Sequence, residues 1–189
     1  FINLIDFKNN FKTGGFMILF VRHGETDCNR QGIIQGQLDA PLNEEGIKQA
    51  EETAEKLKNT EINVIYSSPL VRAKLTAEII NKYHNVDIIC DNRLKEQNAG
   101  EATGRYESSI TNEEYEDFAK DPHKYNAESE EDLYIRNIDF FKEIEKSDKT
   151  ILIVAHRGIY KNLYRYINNL SLSDKVAVPG NSEVKTLKD

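Results

Sequence analysis

The chain has 189 residues, 39% of them hydrophobic and 30% charged, which is the balance of one water-soluble globular domain. A formal charge of −7 argues against a nucleic-acid partner, although a local cationic pocket can still hold a small anion. Two cysteines, Cys28 and Cys90, make neither a disulfide framework nor a zinc ribbon; no apolar run is long enough to span a membrane and no secretory leader is visible, so a cytoplasmic protein is expected.

Residues 1–16, "FINLIDFKNNFKTGGF", precede Met17, the only methionine. They read as an upstream or vector-derived extension joined at Gly14-Gly15, with a single catalytic domain over 17–189. "FMILFV" (16–21) is a β-rich run that ends abruptly on Arg22, His23, Gly24 and Glu25. "NEEGIKQAEETAEKLK" (43–58) predicts a helix, with Asn43 as N-cap, Glu44 and Glu45 in the first turn, and a buried stripe of Ile47, Ala50, Ala54 and Leu57. "INVIY" (62–66) is a second strand. "SSPLVRAKLTAEIINKY" (67–83) predicts a helix capped by Ser68 with Pro69 at its first position. "VDIIC" (86–90) is a third strand.

Residues 91–127 are polar and rich in turn formers, with a short helix expected over 111–119. A long helix over 129–146 would be buried through Leu133, Phe140, Phe141 and Ile144. "TILIVA" (150–155) lacks alternation, so it should be covered on both faces. A helix over about 158–169 and an edge strand over 183–187 complete the chain. Strands alternating with helices argue for an α/β sandwich around a mostly parallel sheet, where ligands sit beyond the carboxyl ends of the strands.

Chemistry-bearing residues converge on that rim. His23 and His156 each follow an apolar strand and precede a glycine by one or two positions. Arg22 adjoins the first histidine; Arg72 falls in the first turn of a helix, whose free N–H groups and guanidinium fork suit a phosphate. Glu96 lies in the loop after the third strand, at the same end. Two histidines and a glutamate could hold zinc, but two guanidinium charges beside a divalent cation would repel it, while an anion would be held well. No metal and no cofactor is therefore expected.

The blocks "VRHGET" with Asn29 six residues after His23, "SSPLVRAKLTA", "LKEQNAGEATG" and "IVAHRG" occur in an order that resembles the histidine phosphatase superfamily, the phosphoglycerate-mutase-like group. The resemblance runs from about Met17 to near the C-terminus. Two weaker blocks agree: "QGQLDAPLNEEGIKQA" (35–50), and "AESEEDLYIR" (127–136), with Ala127 where the family has glycine. It implies a three-layer α/β/α sandwich with a mostly parallel central sheet. It implies that His23 is a nucleophile phosphorylated in transit, that Arg22, Arg72, His156 and Asn29 hold the phosphoryl oxygens, and that Gln35 and Gly36 border the substrate. Glu96 would protonate the leaving alcohol and then deprotonate water. Some branches place an aspartate directly after the second histidine; here Arg157 stands there, which favours Glu96 as the proton donor and alters the local pocket.

The expected activity is phosphomonoester hydrolysis through a phosphohistidine, on a small phosphorylated metabolite, with inorganic phosphate as product. A cofactor-dependent phosphoglycerate mutase is the alternative. Its family members carry a long covering insertion between the acid and the second histidine, and several basic residues soon after the acid. Here Glu96 and His156 are 60 residues apart, and "EQNAGEATGRYESS" offers only Arg105. A non-catalytic phospho-ligand binding module would have no need of Glu96. Substrate choice is expected from residues 98–127, through side chains such as Arg105, Tyr106, His123, Lys124 and Tyr125.

Overall fold

A computed structural model describes residues 17–188; the expected extension, 1–16, lies outside the described residues. Five strands form one sheet: β1 (Ile18–Arg22), β2 (Val64–Ser67), β3 (Ile88–Cys90), β4 (Ile151–Ala155) and β5 (Val184–Lys188), in the spatial order β3-β2-β4-β1-β5. The β3–β2, β2–β4 and β4–β1 pairs are parallel, and β5 adds an antiparallel edge to β1. Helices are α1 (Asp27–Gln31), α2 (Glu44–Leu57), α3 (Val71–Asn81), α4 (Asn112–Lys120), α5 (Glu130–Ile144) and α6 (Arg157–Ile167).

Strand periodicity builds two cores. Ile18 and Phe20 of β1 and Ile151 and Ile153 of β4 pack with Phe140, Phe141 and Leu163 of α5 and α6. The alternate residues Leu19, Val21, Leu152 and Val154 pack with Ala54, Leu57, Ala73 and Ile80 of α2 and α3. This is the three-layer sandwich expected. It explains why the central strand β4, buried at every position, shows no polar alternation.

Two helix details differ from expectation. In α2 the buried stripe is Gly46, Ala50, Thr53, Ala54 and Leu57, while Ile47 is 39% exposed. The cause is a backbone-to-backbone approach: a Cβ on Gly46 would lie 2.1 Å from the Glu25 carbonyl oxygen. The helix therefore turns its glycine, not Ile47, toward the loop after β1. In α3 neither Ser68 nor Pro69 opens the helix. It starts at Val71, and the Asp39 carboxylate, remote in sequence, accepts the Val71 N–H at 2.7 Å in place of a local cap. Helix α1 was not anticipated. Thr26 and Asn29 form its capping box, and Gly32 closes it at φ 68°.

Among the described residues, no helix is long and apolar enough to cross a membrane.

Candidate active site

Register brings the two histidines together. Arg22 of β1 pairs with Ala155 of β4, and the ladder extends one step further, where His23 N–H donates to the Ala155 carbonyl at 3.0 Å. His23 and His156 are thus the first residues past the same level of two adjacent parallel strands. Their ring centroids are 5.1 Å apart. Ser68, the first residue past β2, joins them at this rim, its N–H donating to the Val154 carbonyl at 3.0 Å.

His23 has a fixed tautomer. Its Nδ1 lies 2.7 Å from the Gly24 carbonyl, which can only accept, so Nδ1 carries the proton and Nε2 the lone pair. The Gly24 amide is anchored in turn on Thr76 Oγ1 at 3.1 Å. Burial first, then the charge of Arg72, holds the His23 imidazole well below its ordinary pKa, so it is neutral at physiological pH. Burial, Arg72 and the neighbouring His23 do the same to His156. His156 Nε2 lies 2.8 Å from Ser68 Oγ. That hydroxyl oxygen also accepts the Leu70 N–H. His156 Nδ1 is buried and has no partner in the protein.

The two arginines leave donors unused. Arg72, only 1% exposed, donates to the carbonyls of Leu38 at 2.7 Å and Gly36 at 2.9 Å. Gly36 takes φ 49°, a backbone conformation suited to glycine, and so turns its carbonyl onto the guanidinium. Arg22 donates to the Pro179 carbonyl at 3.3 Å. The Nε of each arginine is buried without a partner. Orphaned buried donors are rare, and two cationic ones beside a neutral imidazole describe an anion site.

Glu96 is carried by a loop held from below. Arg136 of α5 donates to the carbonyls of Arg93, Lys95 and Glu96 at 2.7, 2.8 and 3.1 Å, and pairs with Glu128. The Glu96 carboxylate accepts the Gln97 N–H at 3.0 Å and faces the Gly158 N–H at 3.4 Å. The single Thr26 Oγ1–H lies between two acceptors, Asn29 Oδ1 at 3.1 Å and Gln35 Oε1 at 3.0 Å, and both of those side chains line the cavity.

A cavity of about 280 Å³ gathers Arg22, His23, Asn29, Gln35, Gly36, Arg72 and Glu96 on its wall. His156 is the exception among the residues expected here. It is fully buried against the His23 ring and does not line the cavity. Nor do the residues expected to select substrate. Arg105 is tied to Glu114, Lys124 to Asp117, His123 to Asp132, Tyr125 bonds Asp117, and Tyr106 is 53% exposed. From that region the wall receives only Ala99, with Gln97 just before it; α6 adds Arg157 and Lys161. Thr26, Ser68 and Arg136 were not foreseen as supports. Their partners lie nine, 88 and 40 or more residues away, beyond any local pattern.

Comparison with known proteins gives the family. The family described as histidine phosphatase superfamily (branch 1) matches residues 18–187. An uncharacterized phosphatase, PhoE, of Bacillus subtilis is 40% identical over 141 residues, 74% of this chain and 70% of that protein. Phosphoserine phosphatase 1 of Hydrogenobacter thermophilus is 34% identical over 164 residues, 82% of this chain and 78% of that one. The solved structure of a mycobacterial glucosyl-3-phosphoglycerate phosphatase complexed with VO3 superimposes with a TM-score of 0.80 at 27% identity, covering 90% of each chain. Relatives named as phosphoglycerate mutases match about half of this chain, and phosphoglycerate mutase-like protein 4 of Arabidopsis thaliana is 36% identical over 158 residues, 78% of this chain and 69% of that protein. The chain belongs to the histidine phosphatase superfamily and is a phosphatase-type enzyme of it.

Proposed function

We propose that this branch 1 histidine phosphatase hydrolyses small phosphomonoesters through a phosphohistidine on Nε2 of His23. The observation that carries the reading is the Nδ1–H bond of His23 to Gly24, which aims a neutral Nε2 lone pair at a cavity flanked by arginines with unused donors. The lone pair attacks phosphorus, the ester P–O bond breaks, and protonated Glu96 gives its proton to the departing oxygen. Water then attacks the phosphohistidine, Glu96 takes a proton from it, the P–N bond breaks, and inorganic phosphate leaves with His23 neutral again.

Arg22 and Arg72 hold the equatorial oxygens, where charge accumulates in the transition state. Asn29 and Gln35 complete the rim with amide donors. His156 acts from behind, through its contact with the His23 ring and its unpartnered Nδ1. The reaction needs no metal or cofactor. A cytoplasmic setting belongs to the same proposal, supported by two unpaired cysteines and an acidic composition.

The test is a panel of phosphomonoesters with inorganic phosphate as readout, run beside 3-phosphoglycerate supplied with 2,3-bisphosphoglycerate. Phosphate release on several esters supports the reading. Efficient isomerisation with negligible release would make the protein a mutase, and binding without turnover on every ester would make it a binding module.

A further inference from the structure

Helices in this fold obey the macrodipole. The first turns of α1, α2, α4 and α5 carry Asp27, Glu44 and Glu45, Glu113 and Glu114, and Glu130, Glu131 and Asp132. Only α3 and α6 start without an acid, and each places an arginine in its first turn instead: Arg72 and Arg157. Both arginines line the same cavity. A cation at a helix N-terminus is unfavourable unless an anion offsets it.

Arg157 has a companion. Lys161 lies four residues on, so the two charges stand one turn apart on the same face of α6, where like charges repel. Neither forms an ion pair or a side-chain hydrogen bond among the described residues. Burial lowers the Arg22 pKa, and the nearby charge of Arg157 adds to that lowering. The wall thus carries four cations, Arg22, Arg72, Arg157 and Lys161, against one carboxylate, Glu96. A phosphoryl group near −2 is matched by Arg22 and Arg72 alone. With Glu96 in the protonated form that the first step uses, two positive charges are left over.

Their place indicates what they meet. Gly158 lies between them in sequence, and its N–H faces the Glu96 carboxylate. Glu96 marks where the ester oxygen departs, so Arg157 and Lys161 flank the leaving-group side rather than the phosphoryl side. We propose that Arg157 and Lys161 form a second anion subsite that selects phosphomonoesters whose released alcohol carries its own carboxylate or phosphate. The proposal rests on the assignment of Glu96 as the leaving-group acid.

The test compares matched substrates. One pair is 3-phosphoglycerate and its methyl ester; the other is propanediol bisphosphate and propanediol monophosphate. In wild type, kcat/KM should favour the charged member of at least one pair, and which pair responds distinguishes carboxylate from phosphate. In Arg157→Gln/Lys161→Gln that preference ratio should fall about 30-fold, the worth of one or two charge-assisted hydrogen bonds, mainly through KM. No preference in wild type, or a preference untouched by the double substitution, overturns the subsite. Calorimetric binding of the same ligands to His23→Gln repeats the comparison without turnover. If p-nitrophenyl phosphate is not hydrolysed by wild type while the binding preference persists and depends on both side chains, the hydrolase reading fails and the subsite stands.

Discussion

Gly158 leaves room for Glu96: a Cβ at position 158 would lie 2.4 Å from Glu96 Oε1 and 3.1 Å from Leu133 Cδ2. The nearest obstacle is the mobile end of a side chain, so Gly158→Ala should fold and displace the carboxylate. Helix propensity favours alanine by up to about 1 kcal/mol, so the melting temperature should hold. Turnover of alkyl phosphates should fall about 10- to 100-fold, with a smaller loss on p-nitrophenyl phosphate, whose leaving group needs no acid. Glu96→Gln should show the same asymmetry, more strongly, about 100-fold or more on alkyl esters. Equal losses on both substrate types would remove Glu96 as the leaving-group acid.

Arg72→Lys is not conservative at this site. The planar fork reaches two carbonyls, Leu38 and Gly36, while keeping Nε for a ligand. A lysine ammonium cannot span both carbonyls and still serve the phosphoryl group. We expect kcat/KM to drop about 10²- to 10³-fold and chemical denaturation to report a loss of about 1–3 kcal/mol from the carbonyl left unpaired. Wild-type activity in this variant would show that the fork is not used.

Much of this arrangement is written locally. An apolar run that ends on a cation and a histidine marks a strand terminus at a site, and the burial of β1 and β4 on both faces follows from their unbroken hydrophobicity. What resisted reading is set by distant partners. The start of α3 depends on Asp39, and Ser68 is drawn to His156 instead of capping a helix. Lys124 and His123 are in a polar stretch that could have faced the cavity, but Asp117 and Asp132 hold them elsewhere. Periodicity places Ile47 in the core because it cannot register a glycine pressed against Glu25. Helix α1, five residues long, is too short for periodicity, though its Thr26–Asn29 cap and Gly32 stop were visible.

Arg136 is a positioning residue for Glu96, acting through three carbonyls and its pair with Glu128. Arg136→Lys should lower kcat about tenfold on alkyl phosphates with little change in KM, and the loss should shrink on aryl phosphates. A uniform loss on every ester, with KM raised, would make its role general to the fold.

Acid should destabilise the protein through its histidines. His23 and His156 have folded-state pKa values held well below the ordinary 6.5 by burial and by Arg72. The unfolded chain therefore binds their protons first. Their stabilisation is complete above about pH 6.5 and is lost as pH falls below it, at up to about 1.4 kcal/mol per pH unit for each ring. Urea denaturation between pH 7.5 and 5 should show this slope, and His23→Gln should reduce it by up to one proton's worth. An identical slope in wild type and variant would mean that His23 is charged when folded.

The central claim is a covalent bond between phosphorus and Nε2 of His23. Enzyme mixed with a ³²P-labelled phosphomonoester and quenched within milliseconds in alkali should carry an alkali-stable, acid-labile label, recovered on the peptide that contains His23. Chase with unlabelled substrate should release that label as inorganic phosphate at the rate of turnover. Turnover without any label on His23, or an undiminished label in His23→Gln, would contradict the account.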